Sequence, residues 1–184
     1  MAGQFLTINI TSSGLEAFVR ETTKRQLPMD SCQVFFNDLP QDDEERDTIE
    51  VAVETVANKL DISACSHAVL ILDTGLCFFR STELPFKSKK KVAQVLPLEL
   101  SEAFPREAEN YLTDFTVLDI KPDENRFLAF SASIEEHYVK RFTEVLTEKN
   151  IKPIIMTPEC PVLAAAYMKI RKDAENFIFL VFGN

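Results

Sequence analysis

A five-residue apolar run, Ala68 to Leu72 (AVLIL), constrains the fold of this chain more than any other feature. A strand that is apolar at every position is buried inside a sheet, whereas a strand with one solvated face alternates between apolar and polar residues. Just before this run, Ile49, Val53, Val56 and Leu60 recur at the spacing of one helix face. The run therefore predicts a central strand beside a packed helix, and hence a mixed α/β domain.

Alternation and turn residues predict the other elements. Two strands, Phe5 to Thr11 and Leu15 to Glu21, are predicted to form a hairpin at the start of the chain. The further predicted strands are Cys32 to Leu39, Cys77 to Leu84, Tyr111 to Ile120, Arg126 to Ser133, Ile151 to Met156 and Phe177 to Phe182. The predicted helices run from the acidic stretch 42–47 to Leu60, from Val92 to Phe104 with Pro97 as a kink or a second start, from Ile134 to near Asn150, and from an N-cap at Thr157 to Ile170.

The size and charge of the chain narrow the classes of function. Its 184 residues suffice for one large domain or two small ones without a metal or a disulfide. The formal net charge of -9 argues against electrostatic docking on nucleic acid or on anionic lipid, so the expected partner is another protein. We predict no signal peptide and no direct membrane insertion by these residues, because no apolar stretch approaches the ~20 residues of a membrane span.

Glycine is scarce, and its positions exclude two common nucleotide sites. Only 4 glycines occur, at Gly3, Gly14, Gly75 and Gly183. A Gly-rich phosphate loop needs several glycines close together, so that the backbone can approach the ligand. Neither G-x-G-x-x-G nor G-x-x-x-x-G-K-[ST] can be written from this chain.

The cysteines and histidines lack the spacing of a metal site. None of the 4 cysteines stands in a C-x-x-C pair, and the chain has only 2 histidines. We predict four reduced thiols packed as small hydrophobic residues, and no catalytic, cofactor-binding or metal-binding residue. The residues concerned are Cys32, Cys65, Cys77 and Cys160, with His67 and His137 as packed or surface histidines.

The triplet Asp73-Thr74-Gly75 follows the buried strand and has two interpretations. The first is a tight turn between two strands, in which Gly75 supplies a positive φ. The alternative is the catalytic carboxylate of a dimeric aspartic protease, a chemistry that needs two aspartates sharing one proton. A protease of the retroviral type would be almost entirely β, and the predicted helices conflict with that fold.

One basic cluster stands out, formed by Lys87, Lys89, Lys90 and Lys91 at the predicted start of a helix. Lysines at this position oppose the positive end of the helix dipole. We predict that this cluster contacts an acidic partner or a phosphate. The alternative is that it is only a solvated helix start.

The segment from Cys77 to Pro105 resembles the family that contains the cytoplasmic part of the type II secretion L protein (GspL) and the type IV pilus protein PilM. Three features carry the resemblance: a strand ending in Arg-x-x-x-Leu-Pro at Arg80 to Pro85, a lysine-rich helix start at Ser88 to Lys91, and a Gln-hydrophobic-Leu-Pro-hydrophobic-Glu-Leu helix at Gln94 to Leu100. The order of the predicted elements agrees with this family over the rest of the chain.

The resemblance implies an actin-like, RNase H-like α/β fold, as the first half of a two-domain actin-like ATPase architecture. Residues 1–176 would form the first actin-like domain, with a core part at about 1–86 and 151–176 and an inserted subdomain at about 87–150. Residues 177–184 would be the first strand of a truncated second domain, which makes the chain an expected fragment of a longer protein.

The resemblance also bears on nucleotide binding. In the pilus protein the first strand carries an Asp-x-Gly turn that contributes to ATP binding. Here Asn9 to Thr11 occupy that region, and no carboxylate occurs between Phe5 and Gly14. The second half would carry another such turn, and at Val181 to Gly183 the glycine is kept without the aspartate. In both departures this sequence is similar to the secretion L protein. That protein resembles an actin-fold scaffold that has lost nucleotide binding.

The implied function is a non-enzymatic scaffold of the bacterial type II secretion inner-membrane platform. Such a scaffold would recruit the secretion ATPase (the type II secretion E protein) and contact other platform proteins, with a homodimer as a further option. It would lie on the cytoplasmic side of the inner membrane, in a full-length protein with a single membrane span. The alternative is a PilM-like, ATP-binding type IV pilus assembly protein.

Overall fold

The computed structural model describes residues 4–21, 30–39, 48–101, 104, 108–121 and 126–170. No helix in these residues is long and apolar enough to cross a membrane. The strands are β1 (Gln4–Ile10), β2 (Gly14–Glu21), β3 (Asp30–Phe35), β4 (Cys65–Leu72), β5 (Cys77–Leu84), β6 (Tyr111–Lys121), β7 (Arg126–Glu135) and β8 (Lys152–Pro158). The helices are α1 (Thr48–Lys59), α2 (Lys89–Ser101), α3 (Glu136–Glu148) and α4 (Glu159–Ile170).

The larger of two sheets has the strand order β3-β2-β1-β4-β8. The first three strands along the chain form an antiparallel meander. β1, β4 and β8 run parallel to one another, and parallel neighbours require a crossover connection rather than a tight turn. β4 therefore lies inside the sheet, where Ala68 and Leu70 are fully buried, as the apolar run predicted.

The main core lies between this sheet and two helices. Alternate side chains of a strand point to the same face, and on β1 one such row is buried. α1 and α3 cover that row with their own apolar faces, at helical spacing. The residues that meet there include Leu6, Ile8 and Ile10 of β1, Val53 and Val56 of α1, and Phe142, Val145 and Leu146 of α3.

Ion pairs join α1 and α3 beside this core. The guanidinium of Arg141 lies 3.0 Å from the carboxylate of Glu50, and the Nζ of Lys149 lies 3.6 Å from Glu54. All four side chains are about one-third exposed, so each pair contributes at most about 1 kcal/mol. The apolar core shared by α1 and α3 therefore contributes more to their packing than these pairs do.

The smaller sheet has the strand order β5-β7-β6 and is antiparallel throughout. α2 covers one face of it and forms a second core of Leu84, Val92, Leu96, Leu100 and Ala129. Pro97 lies inside α2, so the segment is one helix rather than two.

Several predicted element boundaries differ from the structure. The predicted strand Cys32 to Leu39 is β3, which ends at Phe35 and is followed by a 3₁₀ turn at Phe36–Asp38. Two other differences lie where a strand meets a helix. Ile134 is buried in β7, and α3 begins two residues later. β8 continues to Pro158, so Thr157 lies in a strand and does not cap α4. In both places the backbone pairing of the strand extends past the point where the helical pattern starts.

The sheets can be compared with the predicted core part at about 1–86 and 151–176 and the predicted inserted subdomain at about 87–150. β5 precedes residue 87 but pairs in the smaller sheet, whereas α3 falls within 87–150 but packs into the main core. The predicted acidic helix start at 42–47, the predicted strand at 177–182 and the Val181 to Gly183 motif lie outside the described residues.

Candidate functional site

The three parallel strands end side by side at one edge of the larger sheet. Ile10 of β1 is in register with Leu72 of β4, and Leu72 is in register with Pro158 of β8. In open α/β sheets, ligands bind where the carboxyl ends of parallel strands meet. This carboxyl edge, formed by residues 11–14, residues 73–76 and the start of α4, is therefore the first candidate site.

The backbone amides of the turn between β1 and β2 all have acceptors within the protein. The Oγ1 of Thr11 accepts the N–H of Ser13 at 3.3 Å and the N–H of Gly14 at 3.0 Å. The N–H of Ser12 donates to the Oδ2 of Asp73 at 3.0 Å. All three amides of residues 12–14 are thus engaged within the protein, although such amides are the usual donors to a bound phosphate.

Asp73 joins this turn to the end of β4. Its N–H donates to the carbonyl of Ile10 at 2.8 Å and extends the pairing of β4 with β1. Its Oδ1 accepts the N–H of Gly75 at 2.7 Å and caps a short 3₁₀ turn at residues 74–76. The prediction that Gly75 has a positive φ is wrong, because this capped turn keeps the backbone right-handed.

Two thiols lie beside Asp73. The Sγ of Cys160, in the first turn of α4, is 3.1 Å from the Oγ1 of Thr74. Burial, followed by the charges of Asp73 and Cys160, raises the pKa of the Cys77 thiol from 9.0 to about 11. A thiol with this pKa stays protonated at neutral pH and is a poor nucleophile.

The four cysteines are free, as predicted. Burial raises the pKa of Cys32 and of Cys65 as well. Cys160 is the exception to the predicted packing, because it is exposed at the carboxyl edge.

A cleft of about 510 Å³ opens between the two sheets, next to the carboxyl edge. Its lining is mainly apolar. β6 and β8 are the last strands in their sheet orders, so within the described strands each leaves one edge of backbone donors and acceptors unpaired. The lining includes Leu112, Asp114 and Thr116 of β6, Phe130 and Ala132 of β7, Met156, Thr157 and Pro158 of β8, and Pro161 of α4.

Neither histidine belongs to a catalytic triad in the described residues. His67 is exposed near the start of β4 and its Nδ1 lies 2.8 Å from the Oγ of Ser66. Asp73 follows the other end of that strand, roughly 20 Å away at the usual rise per residue. His137 contacts Glu135 at 3.2 Å and packs on Tyr138. The structure does not bring a nucleophile, a histidine and an acid together in the described residues.

The lysine patch, defined as Lys87, Lys89, Lys90 and Lys91, lies where α2 begins, and all four side chains are exposed. The Nζ of Lys87 lies 5.8 Å from the ring centre of Phe127. The Nζ of Lys91 lies 5.9 Å from that of Phe86. The patch is separate from the carboxyl edge and does not contribute to its chemistry.

The sequence analysis did not predict the contact between Asp73 and the turn that joins β1 to β2. The two places are 61 residues apart in the chain. The signal that was available is the presence of two strands that both end in polar turn residues, Thr11 to Ser13 and Asp73 to Thr74. Had these strands been predicted as parallel neighbours, their ends would have been expected to meet.

Comparisons with known proteins concern the fold. No protein-family model matches this sequence, and neither does any curated protein sequence. Among solved structures, the cytoplasmic domain of EpsL, an inner membrane component of the type II secretion system of Vibrio cholerae, matches with a TM-score of 0.57 and 17% identity, covering 85% of this chain and 57% of that chain. PilM in the PilM-PilN type IV pilus biogenesis complex matches with a TM-score of 0.66 and 15% identity, covering 91% of this chain and 50% of that chain.

These likenesses show the fold of the chain. It has the actin-like α/β fold of EpsL and PilM, so the predicted resemblance to the GspL and PilM proteins is confirmed at the level of the fold. The chain spans only a little more than half of the EpsL domain and half of PilM.

Proposed function

We propose that this chain is the actin-like part of a non-enzymatic scaffold in a bacterial secretion or pilus platform, and we favour the type II secretion platform. EpsL is an inner membrane component of the type II secretion system, and PilM assembles with PilN in type IV pilus biogenesis. The shared fold supports this setting. The scaffold would stand on the cytoplasmic side of the inner membrane, in a longer protein with one membrane span.

The observation that carries the proposal is the turn between β1 and β2. An actin-like ATPase uses this turn to hold phosphate, with a carboxylate nearby for the magnesium ion. Here the turn has no acid of its own, and Thr11 and Asp73 already accept the N–H groups of residues 12–14. A phosphate would have to displace these internal acceptors, which supports a scaffold without nucleotide binding.

The alternative is a PilM-like protein that binds ATP, and one observation favours it. Asp73 places a carboxylate beside the first turn from the neighbouring strand. Both oxygens of this carboxylate, however, accept backbone N–H groups at 2.7 and 3.0 Å. Each oxygen keeps a further lone pair, but magnesium demands near-ideal octahedral geometry and the two N–H bonds already orient this carboxylate toward the backbone, so we rank this alternative second.

The aspartic protease alternative does not agree with the fold. It required an almost entirely β subunit, whereas α1 and α3 belong to the main core and α2 belongs to the second core. Asp73 is also committed to backbone contacts and is not presented at an open dyad.

The cleft between the sheets supports a docking role. It is mainly apolar, and it is bordered by two strands whose outer edges have no partner strand within the described residues. An extended segment of a partner could add to such an edge through main-chain hydrogen bonds while its side chains fill the apolar floor. We propose that a platform protein docks in this cleft and that the secretion ATPase is a second partner of the scaffold.

Binding measurements on the full-length protein test this docking role. The secretion ATPase and the soluble parts of the platform proteins would be titrated against it by biolayer interferometry. We expect Thr116→Arg, which places a charged side chain in the cleft, to weaken binding of a platform protein at least about tenfold. Thr143→Arg, the same change on the exposed face of α3, serves as the control. Binding of no platform protein, or equal binding by both variants, would contradict the docking role.

A further inference from the structure

We infer that the lysine patch at the start of α2 is a docking surface for a short acidic segment of a partner protein. The inference rests on the proposed scaffold function, because it assigns one of the scaffold's contact surfaces. It draws on the placement of the four lysines, on their neighbours and on the charge of the rest of the chain.

The position of the patch is electrostatically unfavourable for the isolated protein. The first turn of a helix carries a partial positive charge and is stabilised by acidic side chains. α2 has no acidic residue in its first turn, and three consecutive lysines, Lys89 to Lys91, stand there instead. No ion pair links the patch to another residue in the described ranges. The lysines repel one another and the helix dipole, and an external anion would relieve both effects.

Two of the lysines are held in place without being neutralised. The ammonium groups of Lys87 and Lys91 lie within 6 Å of the rings of Phe127 and Phe86, a distance at which the ring quadrupole attracts a cation. Phe127 is buried and Phe86 is packed against the second core. This contact limits the rotamers of the lysines, so less conformational entropy is lost when a partner binds.

The surrounding charge selects the class of partner. The chain has a formal net charge of -9 that already includes the four lysines, so the remainder is more acidic still. An anionic membrane or a nucleic acid is an extended polyanion and would bring its charge within about a Debye length of that acidic remainder. A short segment with several carboxylates contacts the patch alone. The charge distribution therefore favours an acidic protein segment.

The test compares two variants with the same net charge. The patch variant carries Lys→Gln at all four patch positions. The control variant carries Lys→Gln at four exposed positions elsewhere: Lys59, Lys140, Lys152 and Lys169. The probe is fluorescein-labelled octaglutamate, measured by fluorescence anisotropy on the full-length protein at about 0.1 M salt, where the Debye length is about 10 Å. Phosphatidylglycerol vesicles and single-stranded DNA are assayed alongside.

We expect the patch variant to bind octaglutamate about tenfold more weakly than the wild type, as four exposed ion pairs would account for. The affinity of the control variant for octaglutamate should change less than about twofold, because charges far from the patch are largely screened. Equal loss in both variants, no binding by the wild type, or tighter binding to vesicles or DNA than to octaglutamate would each overturn the inference.

Two further readouts separate this inference from the others. The patch variant should melt at the wild-type temperature or slightly above it, because removing charges that oppose the helix dipole does not destabilise α2. A lower melting temperature would mean that the lysines serve the fold, which contradicts a docking role. Failure of the scaffold proposal would show as ATP binding or as absent platform partners, and neither result depends on the octaglutamate measurement.

Discussion

At the scale of single residues, Asp73 shows what sequence reasoning can and cannot reach. The triplet at 73–75 was predicted as a turn because of its residue types, and a turn is what the structure contains. Its contact with Ser12 was not predicted, because that contact depends on the parallel pairing of β1 with β4. Nothing in the local sequence states which strand lies next to which.

We expect Asp73→Ala to lower the free energy of unfolding by about 1–3 kcal/mol, because the N–H groups of Ser12 and Gly75 lose a charged acceptor. Asp73→Asn should lower the free energy of unfolding by less, since the amide oxygen can still accept one of the two hydrogen bonds. Urea denaturation measures both. Asp114→Ala is the control, because Asp114 is exposed and accepts the N–H of the adjacent Phe115. Loss of stability no larger than in this control would contradict the role assigned to Asp73.

The raised pKa of Cys77 predicts how its reactivity depends on pH. A pKa of about 11 in place of 9.0 lowers the thiolate fraction about a hundredfold at pH values below 9. Because the folded-state pKa lies above the ordinary value, folding favours the protonated thiol, and this contribution to stability is lost as the pH rises from about 9 towards 11. In the native protein, iodoacetamide should alkylate Cys160 well before Cys77 at pH 8.

Peptide mass spectrometry over time follows both thiols in one sample. The urea-unfolded protein is the reference, in which the two rates should converge. Equal rates in the native protein at pH 8 would show that burial and the charge of Asp73 do not protect Cys77.

At the scale of secondary structure, periodicity located the elements, and backbone pairing set several of their ends. The apolar spacing in α1 and α3 and the alternation in β6 and β7 predicted these elements correctly. The start of α3 was predicted too early, because Ile134 continues the pairing of β7 with both neighbours. Thr157 was likewise assigned to a helix cap, although it pairs with Ile71 in the sheet. Ile134 fits both strand alternation and helix spacing, and threonine is favoured both in strands and at helix N-caps, so the sequence alone does not place either boundary.

Gly14 sets the distance between two strands and gives the sharpest test of the β2–β3 pairing. A Cβ at this position would lie 2.1 Å from the carbonyl oxygen of Val34, a backbone atom that cannot move aside. We expect Gly14→Ala to lower the free energy of unfolding by more than about 2 kcal/mol. Gly75→Ala is the matched control, because its Cβ would lie 3.2 Å from a side-chain oxygen of Asp73 and should cost less than about 1 kcal/mol. If both variants lose a similar free energy of unfolding in urea denaturation, β2 and β3 lie farther apart than the structure shows.

At the scale of the whole molecule, the buried run at 68–72 predicted a central strand of a mixed α/β domain. The resemblance carried by the motifs around Arg80 to Leu100 implied the actin-like class, and the fold shared with EpsL and PilM confirms it. The candidate site was predicted only as the absence of a carboxylate between Phe5 and Gly14 and of a Gly-rich phosphate loop. The amides engaged at that turn and the cleft between the sheets could not be predicted, because both arise from segments distant in sequence. The division into two sheets depends on which partner β5 pairs with, and local periodicity does not contain that information.

The central claim is that this actin-like chain belongs to a scaffold that does not bind nucleotide. Isothermal titration calorimetry of magnesium-ATP against the full-length protein tests it most directly, with magnesium omitted in a parallel titration. The engaged amides at residues 12–14 and the missing acid of the first turn predict no binding heat above dilution. Saturable, magnesium-dependent binding in the micromolar range or tighter would contradict the claim and favour an ATP-binding pilus assembly protein.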